Sequence, residues 1–177
     1  MKKILLTLSM TALLLFTAGC SCPFSDKTAD SKPQMNTAAA SAAETAPDFS
    51  YKELGSGKTM RLSDLKGKPV FINFWATWCP PCVGELPHIE KKYAEYKDKM
   101  HFVILSVDDN EQEPARFIQS KGYTFPAAYG DHQALGRAYS IDAIPASYII
   151  SADGRIVAST VGSMNEASLD AFLQKAF

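Results

Sequence analysis

Val70-Phe71-Ile72-Asn73-Phe74-Trp75-Ala76-Thr77-Trp78-Cys79-Pro80-Pro81-Cys82 is the stretch on which the fold turns. Its first six residues form a near-continuous apolar run, which suits a central strand covered on both faces. The segment after it, from about Pro81 to Lys97, has helical periodicity, with Leu86, Ile89, Tyr93 and Tyr96 at core-facing spacing. Pro87 lies inside that helix and predicts a kink. Cys79 and Cys82 therefore stand one turn apart at a strand-to-helix junction. A sulfur there meets unpaired N–H groups and the positive end of the helix dipole, both of which favour a thiolate. Two thiols so placed can cycle between dithiol and disulfide.

Two blander explanations of the pair are a zinc knuckle and a purely structural bridge. Zinc wants a second ligand pair at matching spacing. The other cysteines are Cys20 and Cys22 at the far end of the chain, and His88, His101 and His132 are scattered, so no metal site is expected. A structural bridge gains from closing a long loop, and this one closes almost nothing. Redox chemistry is the reading that remains.

The front of the chain places that chemistry. Met1-Lys2-Lys3 and the apolar run Ile4–Phe16 are the charged and hydrophobic regions of a signal peptide over residues 1–19. The run is too short to favour a permanent membrane span. Thr17-Ala18-Gly19-Cys20 resembles a bacterial lipobox, in which Cys20 becomes the lipidated N-terminus. Thr17 departs from the Leu usual at that position, so simple signal cleavage is the alternative. Cys22 is a spare thiol with no assigned role. Residues 20–47 are rich in Ala, Ser, Thr, Lys and Asp and nearly empty of large apolar groups, which predicts a flexible tether to a membrane. The expected location is extracytoplasmic, where disulfides persist and a dithiol needs an outside supply of electrons. Formal net charge is −1, and losing Lys2 and Lys3 with the leader leaves −3, which argues against nucleic-acid partners.

Residues 48–177 make one domain with its own core. Strands and helices alternate along it. Phe102–Val107 is a second buried strand, Glu113–Gly122 a helix with Gly122 as its C-cap, Phe125–Tyr129 a short strand and Gln133–Tyr139 a helix. Ser147–Ile150 and Ile156–Val161 flank Ala152-Asp153-Gly154, a hairpin signal. The last helix starts around Ser163 or Asn165, with Ser163 and Glu166 at capping-box spacing and Leu169, Phe172 and Leu173 facing the core. This order predicts an α/β domain, a central mixed sheet with helices on both faces.

With these elements in place, the chain resembles the thioredoxin superfamily, and within it the membrane-anchored TlpA/ResA-like thiol-disulfide oxidoreductases. The resemblance is carried by Gly67-Lys68-Pro69-Val70, Asn73–Cys82, Glu85-Leu86-Pro87, Ile144-Pro145 and Asp153-Gly154, and it spans nearly all of 48–177. It implies a thioredoxin-like fold. The 63 positions from Cys82 to Pro145 leave room for the extra strand–helix insert of this branch.

The resemblance also implies roles. Cys79 corresponds to the attacking, solvent-side sulfur and Cys82 to the buried resolving thiol. Pro80 and Pro81 carry no N–H and no cation stands between the cysteines, so thiolate stabilisation should be modest and the pair a reductant or one of middling potential. Pro145, after Ile144, matches the cis-proline loop that faces the disulfide and receives substrate. Ala143 and Ala146 replace the Gly and Thr frequent beside it. Glu85 matches an acidic residue of this branch that can exchange a proton with Cys82, and Asn73 stands where thioredoxins carry a buried Asp. Trp75 is expected in the core and Trp78 at the substrate-binding surface.

The expected function is therefore reduction of disulfides in exported proteins, with no cofactor. The resemblance implies apocytochrome c maturation as a client pathway and a membrane electron donor of the DsbD/CcdA kind. The same cysteines could instead donate a disulfide in oxidative folding, since direction depends on potential and partner. A peroxiredoxin reading meets Ala76 and Ile72 where Thr and Pro are needed, and a non-catalytic metal-binding module lacks further ligands.

Overall fold

The structure, a computed structural model, describes residues 44–177. The expected leader, Cys20, Cys22 and most of the tether lie outside the described residues.

The order of elements is β1 (Ser50–Glu53), β2 (Thr59–Arg61), β3 (Val70–Trp75), α1 (Pro80–Tyr96), β4 (His101–Ser106), α2 (Gln112–Lys121), β5 (Ala127–Tyr129), α3 (His132–Ala138), β6 (Ala146–Ile150), β7 (Ile156–Val161) and α4 (Glu166–Leu173). All seven strands form one sheet in the order β2-β1-β5-β4-β3-β6-β7. β3 pairs parallel with β4 and antiparallel with β6, so the mixed sheet is as expected. Every residue of β3 is buried, as its unbroken apolar run requires of a strand with helices on both sides.

Alternation along the strands divides the core. Phe71 and Trp75 of β3, with Phe102 and Ile104 of β4, pack beneath Leu86 and Ile89 of α1, Ile118 of α2 and Leu169 and Phe172 of α4. Ile72 and Phe74 point the other way, against Leu135 of α3, Tyr139 and the short 3₁₀ turn Leu62–Leu65. Fully buried Phe71 meets Phe102 and Phe172 edge-on, at ring centroid distances of 5.4 and 6.4 Å. Its truncation to Ala would cost about 3–5 kcal/mol.

Between β4 and Pro145 the chain makes one strand more than a single return crossover needs. Helix α2 leads to β5, which extends the sheet beyond β4, and α3 then returns across the opposite face to β6. This is the expected insert. Gly122 caps α2 in the left-handed conformation at φ 68°. Pro87 sits inside α1 without ending it.

Three details differ from the sequence reading. The hairpin β1–β2 was not foreseen, because its strands are short and largely exposed and carry no apolar alternation. Of the two starts expected for α4, Asn165 is the one used, its side chain accepting from the Ser168 N–H at 2.9 Å, so the Ser163–Glu166 capping box does not form. Residues 44–47 already pair with the sheet, through a bridge between Thr45 and Arg155 and an Ala46 N–H to Gly154 carbonyl bond of 2.9 Å.

Candidate active site

Cys79 is the N-cap of α1, and Pro80 and Pro81 fill the first two helical positions. Proline suits those positions because its missing N–H has no helical partner to lose. The first amide left to serve the sulfur is that of Cys82, which donates to Cys79 Sγ at 3.3 Å. A helix start without proline would offer the sulfur more donors. Cys79 and Cys82 are joined by a disulfide with Cα atoms 5.3 Å apart. Cys79 is the outer of the two, 5% exposed against 1% for Cys82.

Opposite the disulfide runs the loop that opens β6. The Ile144–Pro145 peptide bond is cis, and the Ile144 carbonyl oxygen lies 3.8 Å from Cys79 Sγ. Trp78, beside the sulfur, is 65% exposed and is the large aromatic that the site presents to solvent. With Val107, Ile141 and Ile144 it lines a groove of about 540 Å³, rimmed by Asp109 and Asp142. Trp75, by contrast, is fully buried against Phe117 of α2. Expected site residues Trp78, Ile144, Pro145 and Cys79 are thus brought to one place.

The turn between β3 and Cys79 is held by a residue the sequence reading missed. Asp108, fully buried just past β4, accepts hydrogen bonds from the Thr77 N–H (3.1 Å), the Thr77 hydroxyl (2.6 Å) and the Ser106 hydroxyl (2.8 Å). The Val107 N–H adds a 2.8 Å bond to the Trp75 carbonyl. The pattern Ser106-x-Asp108 at the end of a buried strand was the available signal.

Beneath the disulfide, Glu85 faces inward from α1, three residues and so one turn beyond Cys82, and is 1% exposed. One carboxylate oxygen accepts from the Met164 N–H at 3.1 Å and the other from Asn73 Nδ2 at 3.4 Å. Burial pushes its carboxyl up from 4.5 to about 7, against the opposing pull of these two donors. Asn73 and Ser147 are directly paired across β3 and β6, and Asn73 Nδ2 also donates to Ser147 Oγ at 2.9 Å. Asn73 Oδ1 and Trp75 Nε1 are the buried side-chain polar atoms without a hydrogen-bond partner among the described residues. Neither Ser147 nor the Met164 amide was foreseen. Their link to Glu85 depends on strand register and on a loop 79 positions away, which local pattern does not encode.

Among the described residues, no three His, Cys, Asp or Glu side chains are grouped to hold a metal ion. No helix among them is long and apolar enough to cross a membrane. His88 is half-buried on α1.

A thioredoxin-like sheet that presents a disulfide at a helix N-terminus to a cis-proline loop defines a protein disulfide oxidoreductase. Known proteins narrow the class. The Redoxin family model matches residues 41–173. A thiol-disulfide oxidoreductase ResA of Bacillus thuringiensis is 36% identical over 131 residues, covering 73% of this chain and 75% of that protein. A thiol:disulfide interchange protein of the thioredoxin family from Chlorobium tepidum superposes with a TM-score of 0.69 at 29% identity, over 78% of this chain and 99% of that one. The exposed lipoprotein thioredoxin Etrx1 of Streptococcus pneumoniae gives 0.64 at 26% identity, over 73% and 99%. The chain belongs to the redoxin family, among the ResA-like thiol-disulfide oxidoreductases.

Proposed function

We propose that this protein is an extracytoplasmic, lipid-anchored reductase of disulfides in exported proteins. Residues 1–19 act as its signal peptide, Cys20 carries the lipid, and the stretch from there to about residue 43, before the chain joins the sheet, tethers the domain to the membrane. The leader pattern supports the location, as does the likeness to a pneumococcal protein described as an exposed lipoprotein.

The client strand lies in the groove beside Trp78, Ile144 and Pro145. Cys79, as thiolate, attacks one sulfur of the client disulfide; the new S–S bond forms as the old one breaks, and the second client sulfur leaves as a thiolate. Glu85, as carboxylate, takes the Cys82 proton. Cys82 then attacks Cys79 Sγ, closing the intramolecular disulfide and releasing the first client sulfur. The client gains two electrons and the enzyme loses two, which a membrane donor of the DsbD/CcdA type restores. Apocytochrome c is one client this scheme suits. A single amide donor at Cys79 Sγ supports the reducing direction, because a weakly stabilised thiolate disfavours a strong oxidant.

The observation that carries this reading is the Cys79–Cys82 disulfide at the head of α1, facing the Ile144 carbonyl with Glu85 buried behind it. Its test is the reduction potential of the pair in a dithiothreitol redox buffer. The expected value is about −200 mV or lower; a value near the roughly −120 mV of strong oxidants would make the protein a disulfide donor instead.

A further inference from the structure

We propose that Asn73 is a positioning residue that serves both protonation states of Glu85 by turning its side-chain amide, with the Ser147 hydroxyl reversing from acceptor to donor as it does so. The inference rests on the reading of Glu85 as the proton partner of Cys82. Its starting point is an imbalance. Asn73 Nδ2 has two acceptors, Glu85 Oε2 at 3.4 Å and Ser147 Oγ at 2.9 Å, while Asn73 Oδ1 is buried with none. A buried amide oxygen without a donor is costly and rare in native structures.

That arrangement suits an ionised Glu85, which can only accept. A protonated Glu85 has an O–H to donate, and Nδ2 cannot receive it. A half-turn of the amide exchanges Oδ1 and Nδ2 at little steric cost, since the two are nearly the same size. Oδ1 then accepts from the Glu85 carboxyl and from the Ser147 hydroxyl, and Nδ2 becomes the unpartnered atom. Each state has two hydrogen bonds and one orphan. Asn73 therefore has a bond for either state, the charge-assisted one it donates to the carboxylate being the stronger, so the carboxyl can load and unload a proton without losing its partner. An Asp at this position would add a second acid beside the first, and a Leu would serve neither form.

The surroundings leave few other candidates for this task. From β3 the carboxyl meets Asn73, with Ser147 of β6 behind it; from the loop before α4 it meets the Met164 N–H; its own helix supplies Cys82 one turn away. No charged side chain contributes to its shift. In the oxidised protein the cysteines do not titrate, so the carboxyl can be observed alone.

The test follows the Glu85 carboxyl by ¹³C NMR and the Asn73 side-chain amide by ¹⁵N NMR in the oxidised full-length protein, from pH 5 to 9. The Asn73 signals should move with the same midpoint as Glu85, and in Glu85→Gln they should stay at their low-pH position throughout. Asn73→Leu removes the donor to the carboxylate and should raise the Glu85 midpoint by about one pH unit. The pH profile of disulfide exchange should move with it. Flat Asn73 signals across the Glu85 titration would overturn the proposal. So would an unmoved Glu85 midpoint in folded Asn73→Leu. Because the NMR readout needs no client, it stands apart from the proposed function: a Cys79→Ala protein that still reduced insulin would sink that function and leave these titrations unaffected.

Discussion

Helix α1 buries two charged side chains seven residues apart, Glu85 and Lys92, and gives them opposite company. Lys92 meets charge. Its ammonium lies 2.7 Å from Glu95 on its own helix and 2.9 Å from Asp170 on α4, and Asp170 also accepts from the Tyr96 hydroxyl. The hydrogen bond to Glu95, then that to Asp170, holds the Lys92 pKa above its ordinary value, so it stays a cation at any working pH. Glu85 meets only neutral donors, a backbone amide and the Asn73 side chain, and burial leaves it titrating at about 7. Both buried charges are hydrogen-bonded, yet only one can change its charge. Countercharge fixes a protonation state and ties α1 to α4; neutral partners leave the state open, and the open one lies beneath the cysteines.

The contrast can be broken most forcefully at Glu85. The folded chain keeps its proton up to about pH 7, whereas the unfolded chain releases it near 4.5. Between those values the folded state binds more protons. Its stability is therefore full below about pH 4.5, falls as pH rises, and levels off above about 7, a loss on the order of 3 kcal/mol. Urea titrations of the oxidised protein at pH 4.5, 6 and 8 should show that slope, and Glu85→Gln should flatten it. The same variant should slow disulfide exchange by about tenfold to a hundredfold at pH 7 and erase the inflection near 7. An unchanged profile would make Glu85 as structural as Lys92.

Lys92→Met tests the other member. Glu95 and Asp170 are partly exposed, so solvent tempers the loss of their countercharge, and the cost should be about 1–2 kcal/mol, read as a lower Tm. The pH profile of exchange should not move. Asp170→Asn keeps the shape and weakens only one of the Lys92 contacts. It should lower Tm by less than Lys92→Met does, again with exchange intact.

The same contrast marks how far the sequence could be read. Glu85 was visible because it sits at fixed spacing from Cys82 inside a motif, whereas its burial beside Leu86 and Ile89 is known from the structure alone. Lys92 was not. A lysine between apolar positions reads as solvent-facing, and its partner Asp170 lies on the last helix, beyond the reach of any local pattern. Strands β3 to β7 and all four helices were legible from apolar runs, periodicity and turn signals. The hairpin strands β1 and β2 were not, because three or four half-exposed residues leave no period to detect. At the α4 start, Ser163 and Asn165 offered equal cap chemistry. The backbone decides for Asn165, since Gly162 turns at φ 101° and the Met164 N–H is taken by Glu85. Asn73 was noticed for what it replaces, while its pairing with Ser147 needed the β3–β6 register.

The most direct measurement is a mixed-disulfide trap with the two single-cysteine variants. Cys82→Ser should accumulate covalent complexes with disulfide-bearing exported proteins through Cys79, released by dithiothreitol, and Cys79→Ser should accumulate almost none. Equal trapping by both variants, or trapping through Cys82 alone, would contradict the assignment of Cys79 as the sulfur that strikes first.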